Sequence, residues 1–401
     1  MTDRLEQALA ALGSGPLTEE GLARHVFPLF SRVLARPGIY LANHSLGRPP
    51  DAMGQDLADF ARLWQERMDD AWEAWLAERE AFRSRIARLI SAARADCVVP
   101  KTAAGQGLRT VLSLYQRPPR VLTTRGEFDS IDHILKTWAA RGRAAVDYVE
   151  ARADGDFDSG EVVAALARGA DLLVISQVMF MTGQVLADLP AIIAAAHDAG
   201  ARVLVDAYHA VGVLPVDVQA LDCDFMIGGS YKYLRGGPGA CWLYVAPRVL
   251  EEGGVPLDTG WFAKREPFAY RRPDLPEFAA GGDAFLESTP PVATWYQARA
   301  GQRFVLGIGV ERLRAYSLAQ QRRLLALLEE RGVVARGATE AHGAFLVVSC
   351  SRAGELASAL QRQGLAGDAR GSWLRLCPDC LTRDDELIAA ARLVRASISS
   401  L

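Results

Sequence analysis

Two hydrophobic rhythms divide the chain. From residue 97 onward, short apolar runs alternate with stretches in which apolar residues recur every three or four positions. The runs predict strands and the stretches predict helices. Strands are expected at 97–100, 121–124, 145–149, 172–176, 202–206 and 224–228, with helices from the loop at 102–107 through 114, and at 130–141, 162–168 and 189–199. The strands are apolar at nearly every position, so both faces of their sheet must be covered. That predicts an α/β architecture around a mostly parallel sheet. Ligands of such sheets lie beyond the carboxyl ends of the strands.

The flanking segments follow other patterns. Residues 18–35 predict a short amphipathic helix that Pro37-Gly38 ends before the loop Asn43-His44-Ser45-Leu46-Gly47. Over 56–93 the spacing is helical, and Trp64, Met68, Trp72, Trp75 and Leu76 form a stripe suited to the core or to a dimer contact. Pro273, Pro276, Pro290 and Pro291 suggest a boundary near 295. A helix over about 292–310 then leads into a smaller α+β unit, with strands at 344–350 and 372–376 and helices around 352–363 and 383–397. The expected organisation is an N-terminal arm (1–50) serving the small domain and the substrate side, a large domain (51–295) and a small domain (296–401).

Composition narrows the classes. Half of the 401 residues are hydrophobic and 23% are charged, an ordinary balance for a folded chain. A formal charge of −3 gives no electrostatic reason to expect nucleic acid or an anionic membrane as partner. The six cysteines (97, 223, 241, 350, 377 and 380) are scattered, which suggests a reducing compartment. The first ten residues lack an apolar signal core, and no uncharged run reaches membrane-spanning length. A cytoplasmic protein is expected. Cys377-x-x-Cys380 has no partner motif, so no metal is assigned.

Candidate chemistry concentrates in two stretches. Val205-Asp206-Ala207-Tyr208-His209 sets an acid and an imidazole at the end of an apolar strand. About one strand later, Gly229-Ser230-Tyr231-Lys232-Tyr233 places a lysine in a small turn before Gly236-Gly237-Pro238-Gly239. A carboxylate able to pair with a pyridinium nitrogen, and an amine able to form an imine, suit pyridoxal 5'-phosphate (PLP). Desolvation near a cationic ring would lower the pKa of that lysine. The loop Thr102-Ala103-Ala104-Gly105-Gln106-Gly107 could let helix-start N–H groups approach a phosphate, although a plain turn reads the same. Arg375, inside the apolar run Trp373-Leu374-Arg375-Leu376, needs a carboxylate. Either a substrate carboxylate held bidentately or an internal ion pair would satisfy it.

These stretches resemble the fold type I PLP enzymes of aminotransferase class V, and within it the kynureninase branch. Further similarities occur in the family's order at Ile39–Pro50, at "TGWFAKREPF", at "LESTPP" and at "WLRLCPD". The resemblance implies a large PLP domain with a seven-stranded-type sheet, a small domain, and a homodimer whose site lies at the subunit interface. It implies that Lys232 forms the imine and moves protons, that Asp206 pairs with the pyridine nitrogen, and that Tyr231 serves the phosphate and is a catalytic candidate for relaying protons through it. It further assigns Thr102, Ala103, Ala104, Phe128, Ser176 and His209 to the cofactor, with Phe128 stacked on the ring. Trp261 and Thr289 would reach the phosphate from the neighbouring subunit. Arg375 would clamp the substrate carboxylate, with His44, Ser45 and His209 on the substrate side. The implied reaction is hydrolytic Cβ–Cγ cleavage of kynurenine or a related amino acid to an acid plus alanine.

The chain departs from that pattern chiefly on the substrate side. His44 replaces an asparagine, Met179 and Met181 replace polar or aromatic residues, and Ile131 holds the register of an aspartate that Asp129 and Asp132 only flank. Rival readings are a class V transaminase, β-lyase or desulfurase, and a non-catalytic PLP- or amino-acid-binding protein. No DNA-binding segment is appended.

Overall fold

The computed structural model describes residues 4–401. Among the described residues twelve strands occur: β1 Ile39–Tyr40, β2 Val98–Lys101, β3 Arg120–Thr124, β4 Ala145–Val149, β5 Leu172–Ser176, β6 Arg202–Asp206, β7 Phe225–Gly229, β8 Cys241–Val245, β9 Leu346–Ser349, β10 Leu365–Ala366, β11 Asp368–Arg370 and β12 Trp373–Leu376. Seven of them form one sheet in the order β2-β8-β7-β6-β5-β3-β4. All run parallel except β8, which is antiparallel to both β2 and β7. The α/β fold expected from the sequence is therefore present. Strand β8 lies outside the predicted elements. All five of its residues are buried, as in β5 and β7, but the Gly-rich turn just before it resembles a stop.

Two helical predictions need correction. The region read as continuous over 56–93 is two helices, Ala52–Arg67 and Ala71–Leu89, separated where Met68 takes φ 49°. A left-handed residue cannot continue a right-handed helix. The 18–35 segment likewise divides into Glu19–His25, a 3-10 turn Phe27–Leu29 carrying Pro28, and Ser31–Leu34. Near 310, Gly309 (φ 94°) separates helix Ala293–Ile308 from helix Val310–Glu329.

A second hydrophobic core is built from Leu41 and from residues between Leu324 and Val394. It packs around the three-stranded sheet β11-β12-β9. Strands β11 and β12 form a hairpin closed by Gly371-Ser372, and its register sets Asp368 directly across from Arg375. The N-terminal loop is stitched between this unit and the lysine turn. β1 pairs with β10, Asn43 Nδ2 donates to Cys377 O at 2.8 Å, and Gly47 N donates to Tyr231 O at 2.8 Å. A Cβ at position 47 would meet the Lys232 carbonyl oxygen at 1.9 Å, so only glycine permits that approach.

Candidate active site

The parallel register carries the chemistry to one end of the sheet. Ser176 ends β5 beside Asp206, which ends β6, and the chain leaving β7 turns through Ser230 and Tyr231 into Lys232. A cavity of about 190 Å3 lies beyond these strand ends. It is lined by nine residues expected from the sequence: Thr102, Ala103, Ala104, Phe128, Ser176, Asp206, His209, Tyr231 and Lys232. Ser130, Phe180, Tyr208 and Cys241 also line it.

Lys232 is buried, and its Nζ lies 2.6 Å from His209 Nε2. Burial lowers its pKa to about 7 against the opposing pull of Asp206. His209 is held neutral by burial and by the Lys232 charge. When Lys232 is protonated, His209 Nε2 accepts from it, and the ring proton then sits on Nδ1. That nitrogen has no hydrogen-bond partner among the described residues. Asp206 accepts from Tyr208 N at 2.9 Å, and burial raises its pKa. Phe128 meets Phe180 edge-on, with ring centroids 5.4 Å apart.

On the same cavity, helix Ala104–Leu112 begins without a side-chain cap. The orphan N–H groups of such a start favour an anion. The Thr102 hydroxyl is turned onto Gln106 Oε1 (3.0 Å), which also accepts from Thr102 N (2.6 Å). Tyr231 packs near Tyr208, and burial raises its phenol to about 12. Tyr208 in turn donates to Cys241 Sγ at 2.9 Å.

Glu127 escaped the sequence reading. It accepts from Ser176 Oγ (2.6 Å), Ser176 N (3.2 Å) and Thr124 Oγ1 (2.8 Å). Burial raises its pKa to about 7, partly offset by the Ser176 and Thr124 hydrogen bonds, while Asp206 adds to the rise. The only sequence signal was an acid three residues after the end of a buried strand. Its folded value lies above its ordinary 4.5, so the stability it contributes is fully present below about pH 4.5 and is lost as pH rises through about 7. Glu127→Gln should therefore match the wild-type apoprotein near pH 4.5. By pH 8 it should exceed it by on the order of 3 kcal/mol in urea denaturation. Parallel pH dependences in the two proteins would refute this.

Other expected residues lie apart from the cavity lining. Trp261 Nε1 donates to Thr289 Oγ1 at 3.1 Å, and both side chains line neighbouring hollows rather than the Lys232 cavity. Ser45 sits in the turn after Ala42, where its N–H donates to Ala42 O. His44 is fully buried and does not line the cavity; it lies 4.9 Å from the Phe345 ring, and its Nε2 bonds Asp368 Oδ1 at 2.8 Å. Met179 belongs to the core, while Phe180 beside it faces the cavity. Ile131 is buried, and Asp132 pairs on its own helix with Lys136 at 2.6 Å.

Arg375 is already paired within the chain. The side chain expected to await a substrate carboxylate already holds an internal one. Nε donates to Asp368 Oδ1 at 2.7 Å, Nη2 donates to Asp368 Oδ2 at 2.5 Å, and Nη1 donates to Phe180 O. An arginine 2% exposed in an apolar strand requires such a counter-ion even without ligand.

With an amine of lowered pKa, a strand-end carboxylate and an uncapped helix start on one cavity, the comparisons with known proteins agree. The family model "Aminotransferase class-V" matches residues 51–398. This chain belongs to the aminotransferase class-V family. As a class-V enzyme its cofactor is PLP, and the donor set just described fits that group. The chain is 27% identical to kynureninase from Pseudomonas fluorescens over 306 residues, covering 73% of this chain and 71% of that one. It is 25% identical to kynureninase from Shouchella clausii over 366 residues, covering 86% and 84%. Among solved structures it resembles an apo cysteine desulfurase from Thermococcus onnurineus (TM-score 0.79, 18% identity, 91% of this chain and 95% of that one). It also resembles a variant of the enzyme C-DES with glycine covalently linked to its PLP (TM-score 0.82, 20% identity, 92% and 98%). At these identities the structural likenesses speak for the fold alone. Among the described residues, no helix is long and apolar enough to cross a membrane.

Proposed function

We propose that this class-V enzyme hydrolyses the Cβ–Cγ bond of kynurenine or a related amino acid, releasing an aryl or other carboxylic acid and alanine. The observation that carries the reading is the pairing of Lys232 with His209 at 2.6 Å inside the cavity that Asp206 closes. Kynureninases matching over most of the chain supply the substrate class. PLP, when bound, supplies an electron sink for bonds broken at the substrate's α and β carbons.

The chain's own groups divide the remaining work. Asp206, fixed by the Tyr208 N–H, holds a negative charge where a ring nitrogen would need it. Lys232, titrating near neutrality, can carry the imine bond and also take and return the α-proton at Nζ. His209 Nε2 accepts a hydrogen bond from the protonated lysine and orients its Nζ. Phe128 offers a ring face, and the N–H groups opening helix Ala104–Leu112 together with Tyr231 offer a phosphate seat. We assign Trp261 and Thr289 to the cavity of a second copy in a homodimer. They miss their own chain's cavity, and the adjoining segment leaves Tyr270 and Leu275 71% and 79% exposed.

A desulfurase would require a reactive, accessible thiol. Cys241 is the one cysteine on the cavity, and burial raises it to about 11. The other cysteines are buried except the half-buried Cys350. Incubation of the purified protein with kynurenine, 3-hydroxykynurenine and a panel of amino acids, with products identified by mass, tests the reading. Anthranilate (or its hydroxy form) and alanine in equal amounts are expected. Transamination, or β-elimination without alanine, would refute it.

A further inference from the structure

Resting on the proposed function, we infer that Asp368 is a positioning residue: it grips Arg375 along one edge, and the N–H groups left on the terminal nitrogens of Arg375 take the substrate's α-carboxylate. A guanidinium has five N–H donors, one on Nε and two on each terminal nitrogen. Asp368 uses the Nε donor and one on Nη2, and the Phe180 carbonyl uses one on Nη1. One N–H therefore remains on Nη1 and one on Nη2, enough for the two oxygens of a single carboxylate. Phe180, whose carbonyl Arg375 holds, lines the cavity that contains Lys232. The Arg375 charge is felt there, since it helps lower both Lys232 and His209.

The same carboxylate orients a second side chain. Asp368 can only accept, so His44 must carry its proton on Nε2, and its Nδ1 is an acceptor with no partner among the described residues. Burial lowers His44 to about 4, so it adds no charge near neutrality. Burial would also raise Asp368, but His44 and Arg375 hold it well below the usual carboxylate range. Arg370, on the same hairpin, lies 3.7 Å from Asp368 Oδ2. The cluster of Arg375, Arg370, Asp368 and neutral His44 therefore carries one net positive charge. A substrate carboxylate meets a cation whose orientation was fixed in advance, which reduces the ordering cost of binding.

Bare electrostatics and positioning predict opposite signs for Asp368→Asn. Removing the acid raises the local charge by one unit, which alone would tighten carboxylate binding. Loss of the grip frees the guanidinium to turn away and weakens it. The holoenzyme, its Asp368→Asn variant and its Asp368→Glu variant should be titrated with L-alanine and L-alaninamide, reading the cofactor absorbance. The wild type is expected to prefer alanine. Asp368→Asn should lose that preference by at least about tenfold with alaninamide binding little changed, and should raise KM far more than it lowers kcat. Asp368→Glu keeps the charge and the ion pair but shifts the fork, so it should retain the fold and lose about threefold or more; should Asp368→Asn not fold, this variant decides. Alanine binding in the Asn variant equal to or tighter than wild type, equal losses for both ligands, or an unchanged preference in the Glu variant would overturn the inference. So would a wild type with normal cofactor absorbance but no preference for alanine over its amide, an outcome that leaves the functional reading in place.

Discussion

Replacing Lys232 by alanine is expected to lower turnover by at least about a thousandfold while leaving the protein folded. The size follows from the two duties assigned to one nitrogen, covalent attachment and proton transfer, each of which contributes a factor of hundreds or more in enzymes that use it. Burial has already lowered Nζ to about 7, so much of it is neutral at physiological pH. No other described lysine lines the cavity. The variant removes a buried amine that, among the described residues, only His209 contacts by hydrogen bond, so its thermal transition should change little. Turnover within tenfold of wild type would remove Lys232 from the mechanism.

The second large effect concerns stability. Asp379 takes ion pairs from both Arg48 and Arg235, the latter at 2.6 Å. Arg48 belongs to the N-terminal loop, Arg235 to the lysine turn (at φ 57°) and Asp379 to the segment after β12. One carboxylate thus ties three regions of the chain behind the active site. Burial would raise its pKa, but the two arginines hold it well below the ordinary range. Asp379→Ala leaves two buried guanidinium groups facing each other without an anion. Removing one partner of a buried pair costs about 3–5 kcal/mol, and here two cations lose it. A drop of at least about 3 kcal/mol in urea denaturation is expected. A change below about 1 kcal/mol would show that the cluster is dispensable.

The sheet was legible because its strands are apolar runs set between helical periods. The lysine and its acid were legible because each lies at a strand end in a short local pattern. Strand β8, an apolar run like the others, was not, since the Gly-rich turn just before it resembles a stop. The break at Met68 was not, because nothing in the residue type announces a left-handed conformation. Arg375 shows where local reading ran out: its need for a carboxylate was evident, and the partner was not. A signal existed in Asp368-Ala369-Arg370-Gly371-Ser372-Trp373-Leu374-Arg375, where a two-residue Gly-Ser turn pairs residue 368 with residue 375 across the hairpin. Directly opposed side chains of opposite charge on one face meet. Glu127 left a weaker trace, because its partners Ser176 and Thr124 come from two different strands.

The most direct test is chemical. Protein saturated with PLP, reduced with borohydride and digested, should carry the pyridoxyl mass on the peptide containing Lys232 and on no other. Absence of that mass, or its appearance on Lys101, Lys136 or Lys264 instead, would contradict the assignment on which every functional statement above depends.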